Sequence, residues 1–201
     1  MKYSAIILSG GTSKRFKQDK GLFRVNQKPL ISYVIEAVTP LVNEVLIATS
    51  DDKVAEYSTH FPSLKIVADE YAFKAAISGA LTGFKNASGD YSLLLPCDTP
   101  LVSQRVLALL LDLAPSNDAV IPRWPHGHIE PLQAIYNTKS AYDLAIRIIA
   151  ERKLKMRELV SRLPKVHYLS TSVIGQVDPL FLTFHNINTL SDLNEIMTYL
   201  H

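Results

Sequence analysis

The sequence predicts an α/β domain built on a mainly parallel sheet. Three observations carry this. Short apolar runs alternate with helical periods along the chain, the first run opens into a glycine turn, and no repeat, low-complexity tract or Gly/Ser linker divides the sequence. The 201 residues suit one domain spanning 1–201, long enough to bury roughly 70% of its unfolded surface.

Taken in order, Tyr3-Ser4-Ala5-Ile6-Ile7 is apolar on both sides of the pleat and predicts a buried parallel strand over Ser4–Leu8. A helix follows over Leu30–Thr39. Pro29 stands at its first position, where the missing N–H costs nothing, and Pro40 closes it. Strands are expected over Glu44–Thr49, Lys65–Ala68, Tyr91–Leu95 and Asp118–Ile121, with helices over Ala75–Asn86 and Arg105–Leu113 between them. The segment Pro122–Pro131 (PRWPHGHIEP) breaks the rhythm and reads as a functional loop or short hairpin. A strand at Leu132–Tyr136, helices at Ser140–Glu151 and Lys155–Leu163 and a strand at Val166–Leu169 come next. The last helix, Ser191–Leu200, takes Ser191 as its N-cap with Asn194 and Glu195 in the first turn.

Composition narrows the classes. With 47% hydrophobic and 20% charged residues the chain is ordinary for a globular protein. A net charge of +2 is too small to argue for nucleic acid or a lipid surface. The single cysteine, Cys97, excludes an internal disulfide and fits a reducing compartment. The apolar run behind Lys2 is shorter than a signal h-region and far short of a membrane span. The expected location is the cytoplasm, with no membrane partner.

In an open parallel sheet, ligands bind beyond the carboxyl ends of the strands. Three polar stretches fall there. The first is Leu8-Ser9-Gly10-Gly11-Thr12-Ser13-Lys14-Arg15 with Asp19-Lys20-Gly21. Its glycines let backbone N–H groups face an anion, and its basic side chains neutralise charge, so it suits phosphate; the alternative is a solvated basic loop. It is neither a G-x-x-x-x-G-K-S/T nor a G-x-G-x-x-G motif. The second stretch is Asp69, ending Lys65-Ile66-Val67-Ala68, and the third is Pro96-Cys97-Asp98-Thr99-Pro100. An aspartate ending so apolar a strand is expensive to desolvate unless a cation or donors meet it. Mg²⁺ shared with phosphate oxygens is the natural partner of Asp98. The local pattern also admits Asp98 as a cap of the helix near Ser103, or as a partner of turn amides beside Pro100.

These pieces together resemble the molybdenum-cofactor guanylyltransferase family. The matching stretches are Leu8-Ser9-Gly10-Gly11 with Arg15 and Asp19-Lys20-Gly21-Leu22, then Lys28-Pro29-Leu30, then Pro96-Cys97-Asp98-Thr99-Pro100. Glu130-Pro131-Leu132 with Ala134 and Tyr136, and Asn186-Ile187-Asn188-Thr189 before Asp192-Leu193, extend the likeness over nearly the whole chain. The resemblance implies a three-layer, mostly parallel mixed sheet of the Rossmann-like nucleotidyltransferase fold. It implies an enzyme that joins the GMP part of GTP to the phosphate of molybdopterin or its molybdenum form, releasing pyrophosphate. It assigns Leu8, Ser9, Gly10 and Gly11 to guanine and phosphate, Lys20 to the triphosphate, Asp69 to the nucleotide and Asp98 to Mg²⁺. Arg15, Lys20 and Asp98 are the implied catalytic set, with Glu130, Asn186 and Asn188 on the pterin side. Transient contact with cofactor-delivery or acceptor proteins is a further expectation.

The chain departs from the family pattern at Ser9 for Ala, at Arg15-Phe16-Lys17 for Arg-Met-Gly, at Ala48 for Asn, and at Ala75-Ala76-Ile77-Ser78-Gly79 for Gly-Pro-Leu-x-Gly. Base selectivity therefore stays open, with CTP, or another acceptor such as phospholactate, cobinamide phosphate or a sugar phosphate, as alternatives. A non-catalytic nucleotide-binding protein is a further one. No Ser-His-Asp set is needed, because an acceptor phosphate brings its own nucleophile. His126 and His128 lack a third ligand of evident spacing and suit substrate contact or exposure better than a metal. Trp124 suits stacking on a pterin or packing at the surface. Cys97 reads as a small interior group with no lowering of its thiol pKa. Glu151-Arg152-Lys153 with Lys155, Arg157 and Glu158 reads as a solvated helical face.

Overall fold

The central strand is buried on both faces, which is why its sequence carries no polar alternation. In the computed structural model, which describes residues 1–10, 19–69, 71 and 75–200, that strand is β1 (Tyr3–Leu8). A hairpin of β2 (Arg24–Val25) and β3 (Lys28–Pro29) follows, then α1 (Leu30–Val38) and β4 (Glu44–Thr49). Next come α2 (Val54–His60), β5 (Lys65–Ala68), α3 (Ala76–Asn86), β6 (Tyr91–Pro96) and α4 (Gln104–Leu113). The chain continues through β7 (Ala119–Arg123), β8 (Ala134–Asn137), α5 (Thr138–Ala150), α6 (Met156–Arg162), β9 (Val166–Ser170), α7 (Thr171–Ile174) and α8 (Leu190–Ile196).

Seven strands form one sheet in the order β5-β4-β1-β6-β8-β7-β9. All neighbours are parallel except that β8 runs against both β6 and β7. The mixed, mostly parallel sheet of the sequence reading is therefore present, and helices cover both faces. Ala5 and Ile7 of β1 join one core with Ile31 and Val34 of α1 and Val106 and Leu110 of α4. Ile6 points to the other core with Ile77 and Leu81 of α3 and Ala141 and Ile148 of α5. The alternation follows from the two-residue period of a strand. A third, smaller cluster packs Val25, Leu30 and Tyr33 against Ile187, Ile196 and Leu200, so the C-terminal segment docks on the β2–β3 hairpin. Among the described residues, no helix is long and apolar enough to cross a membrane.

The observed strands and the longer helices fall within a few residues of their expected bounds, with two local differences. Pro29 is not the first helical residue: it is extended (φ −56°, ψ 142°), pairs with Arg24 across the hairpin, and serves as the N-cap of α1. Ser191 is not the N-cap of α8. Thr189 holds that place, its Oγ1 accepting from the Asp192 N–H at 3.1 Å while the Asp192 carboxylate accepts from the Thr189 N–H at 2.9 Å. The reciprocal pair needs the acid three residues after the cap, a spacing Thr189 has and Ser191 lacks. The sequence did not announce the β2–β3 hairpin, α7, or α2, whose single buried side chain is Tyr57.

Two packing details generate predictions. Gly83 of α3 lies so close to β1 that an added Cβ would collide with Cγ2 of the fully buried Ile6. Gly83→Ala is expected to lower unfolding free energy by about 1–3 kcal/mol, as overpacking does, and the double variant Gly83→Ala/Ile6→Ala, which removes Cγ2, should cost less than the sum of the two single variants in chemical denaturation. The Glu44 carboxylate accepts from Ser4 Oγ at 2.6 Å and from the Ser88 N–H and Oγ at 2.8 and 2.9 Å. Burial alone would raise its pKa; the bonds from Ser4 and Ser88 outweigh that and hold it below the ordinary carboxylate range. A depressed folded-state pKa contributes stability above the unfolded value and loses it as pH falls through the folded one. Glu44→Gln should therefore flatten the fall of melting temperature below about pH 4.

Candidate active site

The parallel pairing of β1 with β6 places Leu8 opposite Pro96. The loops that leave these strands therefore start side by side. The Ser9 N–H donates to Ala48 O at 2.8 Å and the Cys97 N–H to Leu8 O at 3.0 Å, extending the ladder one residue past each strand. From these two loops Lys20 and Asp98 converge. Lys20 Nζ lies 2.5 Å from Asp98 Oδ2 and also donates to Asn188 Oδ1 at 2.9 Å. Asn188 is brought there because the Ile187 N–H donates to Asp98 O at 2.9 Å while the Ile187 side chain is buried against the hairpin.

Asp98 Oδ1 is buried and has no hydrogen-bond partner among the described residues. Neither carboxylate oxygen accepts from a turn amide, and the N-cap of α4 is Ser103, so the two alternative roles considered for Asp98 are set aside. A buried carboxylate oxygen without a donor suits a hard cation. Among the described residues no group of three or more His, Cys, Asp or Glu is placed to hold a metal ion. His126 and His128 are stacked 6.0 Å apart without a third ligand.

The turn around Lys20 is held from below by a network that sequence reading missed. Tyr57, fully buried on α2, donates from its hydroxyl to Asp19 Oδ1 at 2.6 Å and contacts Ser9 Oγ. Burial, then the neighbouring Cys97 and Asp19, push ionisation of this phenol far above its usual range. It stays protonated, so it donates to Asp19 and accepts from Ser9. Lys53 Nζ sits 2.5 Å from Asp19 Oδ2, and the Leu22 N–H donates to Asp19 Oδ1 at 3.1 Å. Gly21 is required here, because a Cβ would collide with the hydroxyls of both Tyr57 and Ser9. Ser9, where the family pattern has Ala, thus joins the support of the turn. Burial, then the Asp98 carboxylate, push the Cys97 thiol up to about 12, so it is an inert interior group as expected.

Leu8, Ser9 and Gly10 lie at the end of β1, and a Cβ at Gly10 would meet nothing within 4 Å among the described residues. Gly11 and Arg15 lie outside the described residues. Asp69 ends β5 on the same sheet edge; its N–H donates to Thr49 O at 2.7 Å and its Oδ1 accepts from the Tyr71 N–H at 3.1 Å. On the other side of Asp98 a cleft of about 310 Å³ is lined by His128, Glu130, Gln133, Arg157 and Asn186. Glu130 and Asn186 thereby share this cleft with Asp98. Arg157, read from sequence as part of a solvated face, is exposed and also borders this cleft. Trp124 is packed: its ring lies 5.0 Å from Phe181 and 5.8 Å from Phe184, and its Nε1 donates to Glu130 Oε1 at 2.7 Å. A larger cleft of about 520 Å³, bordered by Lys85, Asp90 and Lys139, lies at the opposite end of the sheet and includes none of these residues.

Removing the Tyr57 hydroxyl leaves Asp19 short of a donor. Tyr57→Phe should lower unfolding free energy by about 1.5–3 kcal/mol, the range for a hydrogen bond to a charged group. Ser9→Ala should cost less, since Tyr57 keeps its bond to Asp19; denaturant titration of both variants checks the order.

Residues 5–166 match the family described as the MobA-like NTP transferase domain. A probable molybdenum cofactor guanylyltransferase of Bacillus licheniformis is 33% identical over 199 residues, covering 98% of this chain and 97% of the relative. One from Natranaerobius thermophilus is 28% identical over 98% of this chain and 96% of its own. The crystal structure of molybdopterin-guanine dinucleotide biosynthesis protein A from Archaeoglobus fulgidus superimposes with a TM-score of 0.83 at 26% identity, covering 98% of both chains. From the middle of β1 to the start of β9, the sheet that carries the Lys20 and Asp98 loops is the matched region, and the chain belongs to the MobA-like NTP transferase domain family.

Proposed function

We propose that this protein transfers the GMP moiety of GTP to the phosphate of molybdopterin, releasing pyrophosphate. The observation that carries the reading is the convergence of Lys20, Asp98 and Asn188, drawn from three distant parts of the chain, at the carboxyl edge of the sheet. The relatives named as guanylyltransferases over nearly the full length support the same reaction.

Nucleotidyl transfer asks for charge neutralisation and in-line placement rather than a nucleophilic side chain. An oxygen of the acceptor phosphate attacks the α-phosphorus of GTP, a new P–O bond forms, and the bond to the β-phosphate oxygen breaks with both electrons going to pyrophosphate. Lys20 neutralises the triphosphate and the charge on the departing pyrophosphate, with Arg15 assigned beside it from the glycine loop. Asp98 Oδ1 is the group to hold Mg²⁺, which when bound supplies positive charge at the phosphate oxygens. Leu8, Ser9, Gly10 and Gly11 present backbone to the nucleotide, and Asp69 borders it. Asn188, Asn186 and Glu130 face the acceptor. A reaction that consumes GTP suits the cytoplasm.

Pyrophosphate release measured with GTP, CTP or ATP, each with molybdopterin and with or without Mg²⁺, tests the assignment. GTP with Mg²⁺ should be the productive pair. Asp98→Asn should retain its fold and lose about 10²–10³-fold in turnover, the scale of a lost charge-stabilising group. Lys20→Ala should weaken GTP by about 10–100-fold in calorimetry. Near wild-type turnover in Asp98→Asn, or transfer from CTP in preference to GTP, would overturn the reading.

A further inference from the structure

The cleft beside Asp98 holds two polar groups without a hydrogen-bond or ion-pair partner among the described residues. Gln133 is 3% exposed, lines the cleft beside Asp98, and its Nε2 has no hydrogen-bond partner among the described residues. A buried amide donor left unpaired costs free energy, so such groups in native proteins have an occupant or a function. Its backbone is held, with the Gln133 N–H donating to Glu130 O at 3.3 Å just before β8. The amide is therefore carried by the turn that leads into β8.

Arg157, the second residue of α6, borders the same cleft with Asp98 and Asn186. The acids near it are taken by other cations. Arg162 lies 2.9 Å from Glu151 and 3.9 Å from Glu158, and Lys153 lies 3.3 Å from Glu151. Among the described residues no carboxylate pairs with the Arg157 guanidinium. Glu130, the other acid of the cleft, is engaged by Trp124 Nε1 at 2.7 Å and by His128 Nε2 at 3.4 Å. The cleft thus offers an unpaired planar cation and an unpaired buried amide, a donor set matched to an oxyanion attached to a hydrogen-bonding body.

Chemistry requires such a set. Nucleophile and electrophile are both phosphates, and their like charges repel as they close to bonding distance. Lys20 serves the nucleotide side, so a second cation is needed on the side from which the acceptor enters. We infer that Arg157 and Gln133 form the acceptor half-site, Arg157 binding the phosphate monoester of the incoming substrate and Gln133 Nε2 donating to an acceptor atom of that substrate. The inference rests on the transfer reaction proposed above and extends it to residues the family likeness did not mark.

The test separates the two. Initial rates of Arg157→Ala, Arg157→Lys and Gln133→Leu are measured with molybdopterin and GTP varied in turn. Equilibrium binding of molybdopterin without nucleotide, and of GTP by calorimetry, are measured alongside. Arg157→Ala should raise the molybdopterin KM and Kd by about 10–100-fold and Arg157→Lys by less, with GTP affinity unchanged within about twofold. Gln133→Leu should raise the molybdopterin constants by about 5–10-fold. Arg157 is exposed, so its variants keep the fold, and melting curves confirm it for all three. Unchanged molybdopterin constants, or a loss confined to GTP affinity, would overturn the half-site. If the wild-type protein binds molybdopterin but transfers nothing to it, the proposed reaction fails while the binding series still decides the half-site. No binding by the wild type would overturn both.

Discussion

The site depends on one constraint, the in-register parallel pairing of β1 with β6 at the middle of the sheet. Because Leu8 stands opposite Pro96, a glycine-bearing turn and an aspartate eighty-odd residues apart in sequence leave the sheet as neighbours. Parallel strands need long crossovers, and here those crossovers are the helices that bury both faces. A slip of one residue would exchange Ile6 with Ile7 between two different cores, so the register is enforced by packing on both sides. The same packing that stabilises the fold therefore sets the distance between Lys20 and Asp98.

Around that axis the two halves of the site are held differently. The proposed nucleotide half rests on a buried hydrogen-bonded support in which Tyr57 and Lys53 hold Asp19 and, through it, the Lys20 turn. Such a support is rigid because each member has a partner and a protonated phenol cannot change role near neutral pH. The proposed acceptor half is assembled from the Pro122–Pro131 hairpin, the turn before β8, α6 and the C-terminal segment. The C-terminal segment is tied to the nucleotide half at two points, the Ile187 N–H on Asp98 O and Asn188 on Lys20.

How much was legible follows from how local each signal is. Asp98 was legible because a charged residue ending Tyr91-Ser92-Leu93-Leu94-Leu95 is conspicuous against its neighbours, and the structure leaves one of its oxygens buried and unpartnered. Lys20 was legible through its glycine-rich surroundings. Tyr57 was hidden, because the segment Val54–His60 buries one side chain only and shows no apolar stripe. Arg157 was hidden inside a run of mixed charge, where sequence offers no way to separate a partnered cation from an unpartnered one. Gln133 did leave a trace, as a lone amide between Leu132 and Ala134 in an otherwise apolar stretch.

The sequence by itself determined the fold class, the order of the sheet strands and the longer helices, and the three polar strand-end loops, because each rests on hydrophobic periodicity and on turn chemistry within a few residues. Only the tertiary structure decided which charges face one another. Which aspartate meets Lys20, whether Asp19 is supported by Tyr57, and which arginine of a charged helix is left without a carboxylate all depend on strand register and helix docking. Those are set by the burial of two apolar cores distributed over the whole chain, and no local stretch of sequence contains them.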